Sequence, residues 1–182
     1  MLNKSKLILG IALLSGLALM TRSAQAAGPG DVFVAPISGA FEVPANASTA
    51  LGTAVLTVVN VDDFQLVVNF TSVFSANVTA AHIHLAPPGV NGGVVVNLAT
   101  AAFVGARTIT GTTNPSISGT YTGQAAFITA LGTGTHYINF HNAPFPGGEA
   151  RGNFAAAPEP GTVALGVLGL GALAIARRRR GQ

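Results

Sequence analysis

The sequence predicts an all-β domain, an antiparallel sandwich or barrel, flanked by an amino-terminal signal helix and a short carboxyl-terminal hydrophobic helix. Three observations predict it. Between residues 27 and 157, short β-branched runs alternate with Gly, Pro and Asn punctuation at strand-like spacing. Charge is scarce there, and Gly, Thr, Ala and Val are abundant, which suits tight sheet packing and short turns. Two apolar runs lie outside that region, one following Lys4 and Lys6, the other preceding Arg177 to Arg180.

At the amino end, an apolar stretch runs from Leu7 to Leu14 and continues to Met20. Ala24-Gln25-Ala26 then supplies the small residues that a signal peptidase requires, so cleavage is expected before Ala27. An uncleaved membrane helix is the competing reading; the short run and alanine-rich exit argue against it. Strands are expected at 37–43, 53–59, 64–71, 78–84, 94–98, 116–121, 135–141 and 149–154. Residues 60–63 read as a hairpin turn, and 124–131 as one or two helical turns. Residues 86–93 and 111–115 read as loops. The expected organisation is therefore a signal peptide at 1–26, one domain at 27–156 and a tail at 157–182. About 130 residues suffice for one core and are too few for two. The chain has no cysteine, so core burial or a metal must hold the exported domain together.

The formal charge of +3 is misleading. Lys4, Lys6, Arg22 and Arg177 to Arg180 all lie in the terminal segments. The domain itself sets Arg107 and Arg151 against Asp31, Glu42, Asp62, Asp63 and Glu149, and is weakly acidic. No basic patch exists to neutralise phosphates, which excludes nucleic acid as a partner.

At the carboxyl end, Pro158-Glu159-Pro160 opens an apolar run that ends at Arg177-Arg178-Arg179-Arg180. Arginines on one flank orient such a segment with its basic end on the cytoplasmic side. The run is shorter than the ~20 residues that span a bilayer comfortably, so it reads as a transient anchor. Motif, span and arginines in this order resemble the PEP-CTERM sorting signal of Gram-negative bacteria. The resemblance implies recognition by a membrane-embedded exosortase, cleavage near Pro158, and delivery to the cell surface or extracellular matrix. An ordinary membrane tail is the simpler alternative.

Chemistry, if any, lies in the histidines. All four occur in Ala81-His82-Ile83-His84 and His136-Tyr137-Ile138-Asn139-Phe140-His141. Side chains alternate across a strand, so His82 and His84 share one face opposite Ala81 and Ile83. Ile138 and Phe140 mark the apolar face of the second segment and put Tyr137, Asn139 and His141 opposite. The same parity turns Glu149 and Arg151 outward. Were these strands neighbours, His82, His84, His141, Asn139, Glu149 and Arg151 would form one polar cluster on the outer wall. His136 falls on the apolar side and reads as a hydrogen-bonded structural histidine. Three imidazoles fixed by a rigid sheet suit copper or zinc, because neutral rings donate nitrogen lone pairs. The alternative is that the histidines bond to loops while Glu149 and Arg151 form an ion pair that pins the last strand.

Several blocks resemble the CHRD domain, a module named after chordin and widespread in bacterial exported proteins. They are Ser38-Gly39-Ala40-Phe41-Glu42-Val43-Pro44, Thr79-Ala80-Ala81-His82-Ile83-His84, Pro88-Gly89-Val90-Asn91-Gly92, Tyr137-Ile138-Asn139-Phe140-His141 and Phe145-Pro146-Gly147-Gly148-Glu149-Ala150-Arg151-Gly152. The resemblance implies a β-sandwich without an established catalytic activity.

A weaker resemblance is to Cu/Zn superoxide dismutase, a Greek-key barrel with copper on its outer wall. By motif, His82 and His84 match the paired copper ligands, His141 a later ligand, and Arg151 the arginine that guides the anion. Between His84 and His136 there is no histidine or aspartate, so the bridging histidine and the zinc loop have no counterpart. The analogy supports copper binding and not turnover.

Other enzyme classes find less. No strained nucleophile turn, no pair of acids flanking a groove, and no phosphate-binding glycine loop is present. The expectation is a non-enzymatic surface or matrix component. A copper-binding protein using His82, His84 and His141 is the alternative, and an adhesive module for exopolysaccharide, resting on Tyr121 and Tyr137, is the third.

Overall fold

Pleat alternation builds the first wing of the domain. In the computed structural model, which describes residues 25–72, 74–98, 108–111, 116–117, 120–158 and 177, β1 (Val32–Ser38) buries Phe33, Ala35 and Ile37. The next strand, β2 (Leu51–Asn60), buries Ala54, Leu56 and Val58, and β3 (Asp63–Phe70) buries Phe64, Leu66, Val68 and Phe70. The hairpin between them turns at residues 61–62, where Asn60 Oδ1 accepts from the Asp62 N–H at 2.8 Å. Both expected terminal helices lie outside the described residues. Among the described residues no helix is long and apolar enough to cross a membrane.

The second wing contains β4 (Val78–Leu85), β5 (Gly93–Leu98), β8 (His136–Asn142) and β9 (Ala150–Asn153). Short strands β6 (Thr108–Gly111) and β7 (Ser116–Ile117) end the two wings, and β10 (Ala155–Ala156) pairs with β1. The result is one antiparallel sheet in the order β6-β3-β2-β1-β9-β8-β4-β5-β7, with the crossovers of a Greek key rather than a simple meander. The sheet curls into a half-barrel. Phe70 of β3 and Phe140 of β8 stand four strand positions apart in this order, yet their ring centroids meet at 5.2 Å across the core. Helix α1 (Gln124–Leu131) inserts Phe127 against Phe64 at 5.5 Å.

Three boundaries differ from expectation. The first strand begins at Val32 and ends at Ser38, where Ser38 Oγ accepts from the Ala40 N–H and turns the chain into a 3-10 segment, Gly39–Phe41. Pro36 obscured this strand in the sequence, but it stands on the exposed face, so its ring costs no packing. Strand β6 lies outside the expected strands, although Thr108-Ile109-Thr110 is a short β-branched run. The last strand divides at Phe154: β9 pairs with β8 and, at Arg151 opposite Ser38, with β1, whereas β10 pairs with β1 alone. The shared strand β9 is the corner that joins the two wings. Gly152 allows it, because a Cβ there would press on Ala35 and on the Pro36 carbonyl.

Candidate metal centre

Register brings the polar residues together. Strand β4 buries Ala81 and Ile83, which leaves His82 and His84 on the opposite face. Across the β4–β8 ladder His82 stands opposite Asn139, His84 opposite Tyr137, and Ala80 opposite His141. Across β8–β9, Asn139 stands opposite Arg151 and Tyr137 opposite Asn153.

One ring nitrogen from each of His82, His84 and His141 lies within 4.8 Å of the other two. Three such atoms share a point within about 2.8 Å of each, and a modest inward rotation of the rings reaches the ~2.0–2.1 Å of a His–metal bond. The nearest pair is His82 Nδ1 and His141 Nε2 at 3.3 Å. Two tautomers are set by backbone acceptors. His84 Nδ1 donates to the Gly92 carbonyl at 2.9 Å, and His141 Nδ1 donates to the Pro146 carbonyl at 3.1 Å. Each Nε2 therefore keeps its lone pair. His84 Nε2 is buried and has no hydrogen-bond partner.

Electrostatics keep the rings neutral. Burial pushes the His84 imidazole down to about 4, with the neighbouring His82, His141 and Arg151 adding to the fall. Burial also lowers His82 and His141, and His141 presses further on His82. Unprotonated imidazoles are the form that binds an ion.

Arg151 lies on the same face as Tyr137 and Asn139, where Glu42 and the loop at Val90 and Asn91 cover it. It is only 2% exposed, and its Nε donates to Glu42 Oε2 at 2.8 Å. Its terminal nitrogens reach Asn91 Oδ1 at 2.5 Å and the Val90 carbonyl at 3.4 Å. The guanidinium carbon lies 4.5 Å from the Tyr137 ring centroid, and the Tyr137 ring stacks on His84. A paired, buried guanidinium is not available to guide an anion from solvent. Burial lifts the Glu42 carboxyl above the ordinary carboxylate value, with the Arg151 contacts pulling the other way.

Glu149 stands apart from the histidines and does not pair with Arg151. Its carboxylate accepts from Ser48 Oγ at 2.7 Å, from the Ser75 N–H at 2.8 Å and from the Asn142 amide. Strand alternation fails here because Glu149 precedes β9, directly after the Gly147-Gly148 turn. Asn139 is buried beside the cluster, and its Oδ1 and Glu42 Oε1 both lack a partner. A Cβ on Gly148 would stand 2.7 Å from Glu42 Oε1 and 2.8 Å from Asn139 Oδ1, so both atoms border one small space.

His136 is fully buried on the core side, bonded to Tyr121 Oη at 2.7 Å and packed against Phe127. Both tyrosines that an adhesive surface would use are thus committed: Tyr121 to His136, and Tyr137 to the Arg151–His84 stack. Sequence reasoning missed Glu42, Asn91 and Gly92 as members of the site. Glu42 was visible as a scarce acid inside an apolar stretch, whereas the backbone roles of Val90 and Gly92 leave no trace in side-chain chemistry.

Comparison with known proteins gives two family matches, the CHRD domain over residues 33–154 and the PEP-CTERM protein-sorting motif over residues 156–180. No curated protein and no solved structure matches the chain. The sorting motif implies processing by an exosortase, with export and a cell-surface or extracellular location in a Gram-negative bacterium. The first match takes in both histidine-bearing strands, the Glu42–Arg151 pair and two-thirds of the chain, so this protein belongs to the CHRD-domain family and carries a PEP-CTERM sorting motif behind it.

Proposed function

We propose that the mature protein is a non-enzymatic module, freed by signal peptidase before Ala27 and by exosortase near Pro158, that holds one copper ion at the cell surface or in the matrix. His82 Nδ1, His84 Nε2 and His141 Nε2 are the ligands in this reading. The observation that carries it is the pair of backbone acceptors, at Gly92 and Pro146, that turn the Nε2 lone pairs of His84 and His141 into the cluster, where the buried His84 Nε2 has no hydrogen-bond partner. A histidine that served only to fasten loops would need no partnerless nitrogen beside two other imidazoles.

Copper suits an all-imidazole set without a carboxylate. Glu42 is held by Arg151, and Glu149 by Ser48, Ser75 and Asn142, so no acid adds charge at the three rings. Turnover is not part of the proposal: no fourth imidazole joins the group, and Arg151 is withdrawn from solvent.

The test is metal titration of the processed, secreted protein. One Cu(II) per chain, with nitrogen couplings from three imidazoles in its paramagnetic spectrum, is the expected result. Equal binding by His82→Ala, or no tight copper at all, would remove the reading.

A further inference from the structure

We infer that β10 is a releasable strap, and that the exosortase acts only on chains in which β10 has left β1. The inference rests on the sorting reading above and adds the step that governs it.

The two family matches meet almost without a gap, one ending at residue 154 and the other beginning at 156. Ala155-Ala156-Ala157-Pro158 has the small-residue and proline composition of a linker. In the structure Ala155 and Ala156 are instead paired with Val34 and Phe33, and the Ala157 N–H donates to the Val32 carbonyl at 2.8 Å. Pro158, the first residue of the Pro-Glu-Pro sequence, is exposed immediately afterwards. Two residues of extended chain span at most about 7 Å. An enzyme that processes a peptide bond surrounds several extended residues, so a motif this close to a folded sheet is sterically shielded by it.

The pairing is also built to yield. It comprises two residue pairs and one flanking hydrogen bond at the end of the domain, where local opening is cheapest. Only Ala156 of the strap packs against the core, and it is already partly exposed. Departure of β10 leaves β9 paired to β8, so the second wing remains intact. Gln25, Ala155 and Ala156 line one cleft, which places the origins of both targeting segments at the same end of the domain.

The test uses the full chain in its secreting host. Val34 and Ala155 are direct cross-strand partners, and such Cα pairs stand ~4.5–5.5 Å apart, within disulfide range. Because the chain has no cysteine, Val34→Cys with Ala155→Cys creates a single clamp on the strap. In a pulse–chase, the clamped chain should lose processing by roughly tenfold, and reductant should restore it. A flexible insert of about ten residues between Ala157 and Pro158, worth ~35 Å of reach, should restore processing with the clamp closed. The insert alone should accelerate processing of the unclamped chain. Processing at the wild-type rate with the disulfide shown to be closed would overturn the inference. Should the clamp fail to form, an insert that leaves the rate unchanged would overturn it equally. Failure of the wild-type chain to be processed at all would remove the sorting reading itself, a result distinct from either.

Discussion

The rings of His84 and Tyr137 lie 4.7 Å apart and within 7° of parallel, and the Arg151 guanidinium lies against the same tyrosine at 4.5 Å. Tyr137 also accepts from the Gly92 N–H at 3.1 Å, while the Gly92 carbonyl accepts from His84. One loop residue thus ties the tyrosine and the histidine together.

From this follows the behaviour of Tyr137→Phe. The ring and its stacking persist, but the Gly92 N–H loses its acceptor, at a cost of about 1 kcal/mol in urea denaturation. Copper affinity should fall by roughly tenfold, because the carbonyl that orients His84 is less firmly held. Unchanged affinity with lowered stability would show that Gly92 does not govern the ligand.

Arg151 and Glu42 should behave as a unit. Arg151→Met leaves a buried carboxylate without its partner, and a loss of about 3–5 kcal/mol is expected. Adding Glu42→Gln should recover much of that loss. A double variant as unstable as the sum of the two single ones would exclude the coupling.

Acid should weaken the domain through His136. Its pKa falls from 6.5 in the unfolded chain to about 4 in the fold, because burial disfavours the charged ring. Between those values the unfolded state binds the extra proton, so stability rises with pH across the window. It is lost as pH falls from about 6.5 to 4, by up to about 3 kcal/mol for this residue. His136→Phe should flatten part of the slope in urea midpoints measured between pH 7 and pH 4. An identical slope in both proteins would assign the effect elsewhere.

Metal should add its own stability. With copper at about 100 times its dissociation constant, the wild-type protein should gain about 2.7 kcal/mol, and His84→Ala should gain none. A comparable gain in His84→Ala would place the ion at another site.

The wings were legible because their strands obey alternation strictly: Phe64, Leu66 and Val68 could face only inward, and His82 with His84 only the other way. The same logic put His136 in the core. Alternation failed wherever the chain leaves the extended state. Glu149 is one residue outside β9, and the turn before it redirects the carboxylate to Ser48, Ser75 and Asn142. Glu42 pairs with a residue 109 positions later, a contact that no local pattern announces. Ala155 and Ala156 carry no strand signature because alanine has little strand preference; their pairing with β1 is a tertiary effect that overrides propensity.

The order of strands bears on how the protein travels. A polypeptide threaded amino end first through a translocation channel can zip β1 to β2 and β3 early, since these are neighbours in sequence. The other flank of β1 must wait for β9 and β10, more than a hundred residues later. Long-range pairing of this kind is slow. The passenger therefore stays pliable during its crossing and stiffens only when its rear end arrives.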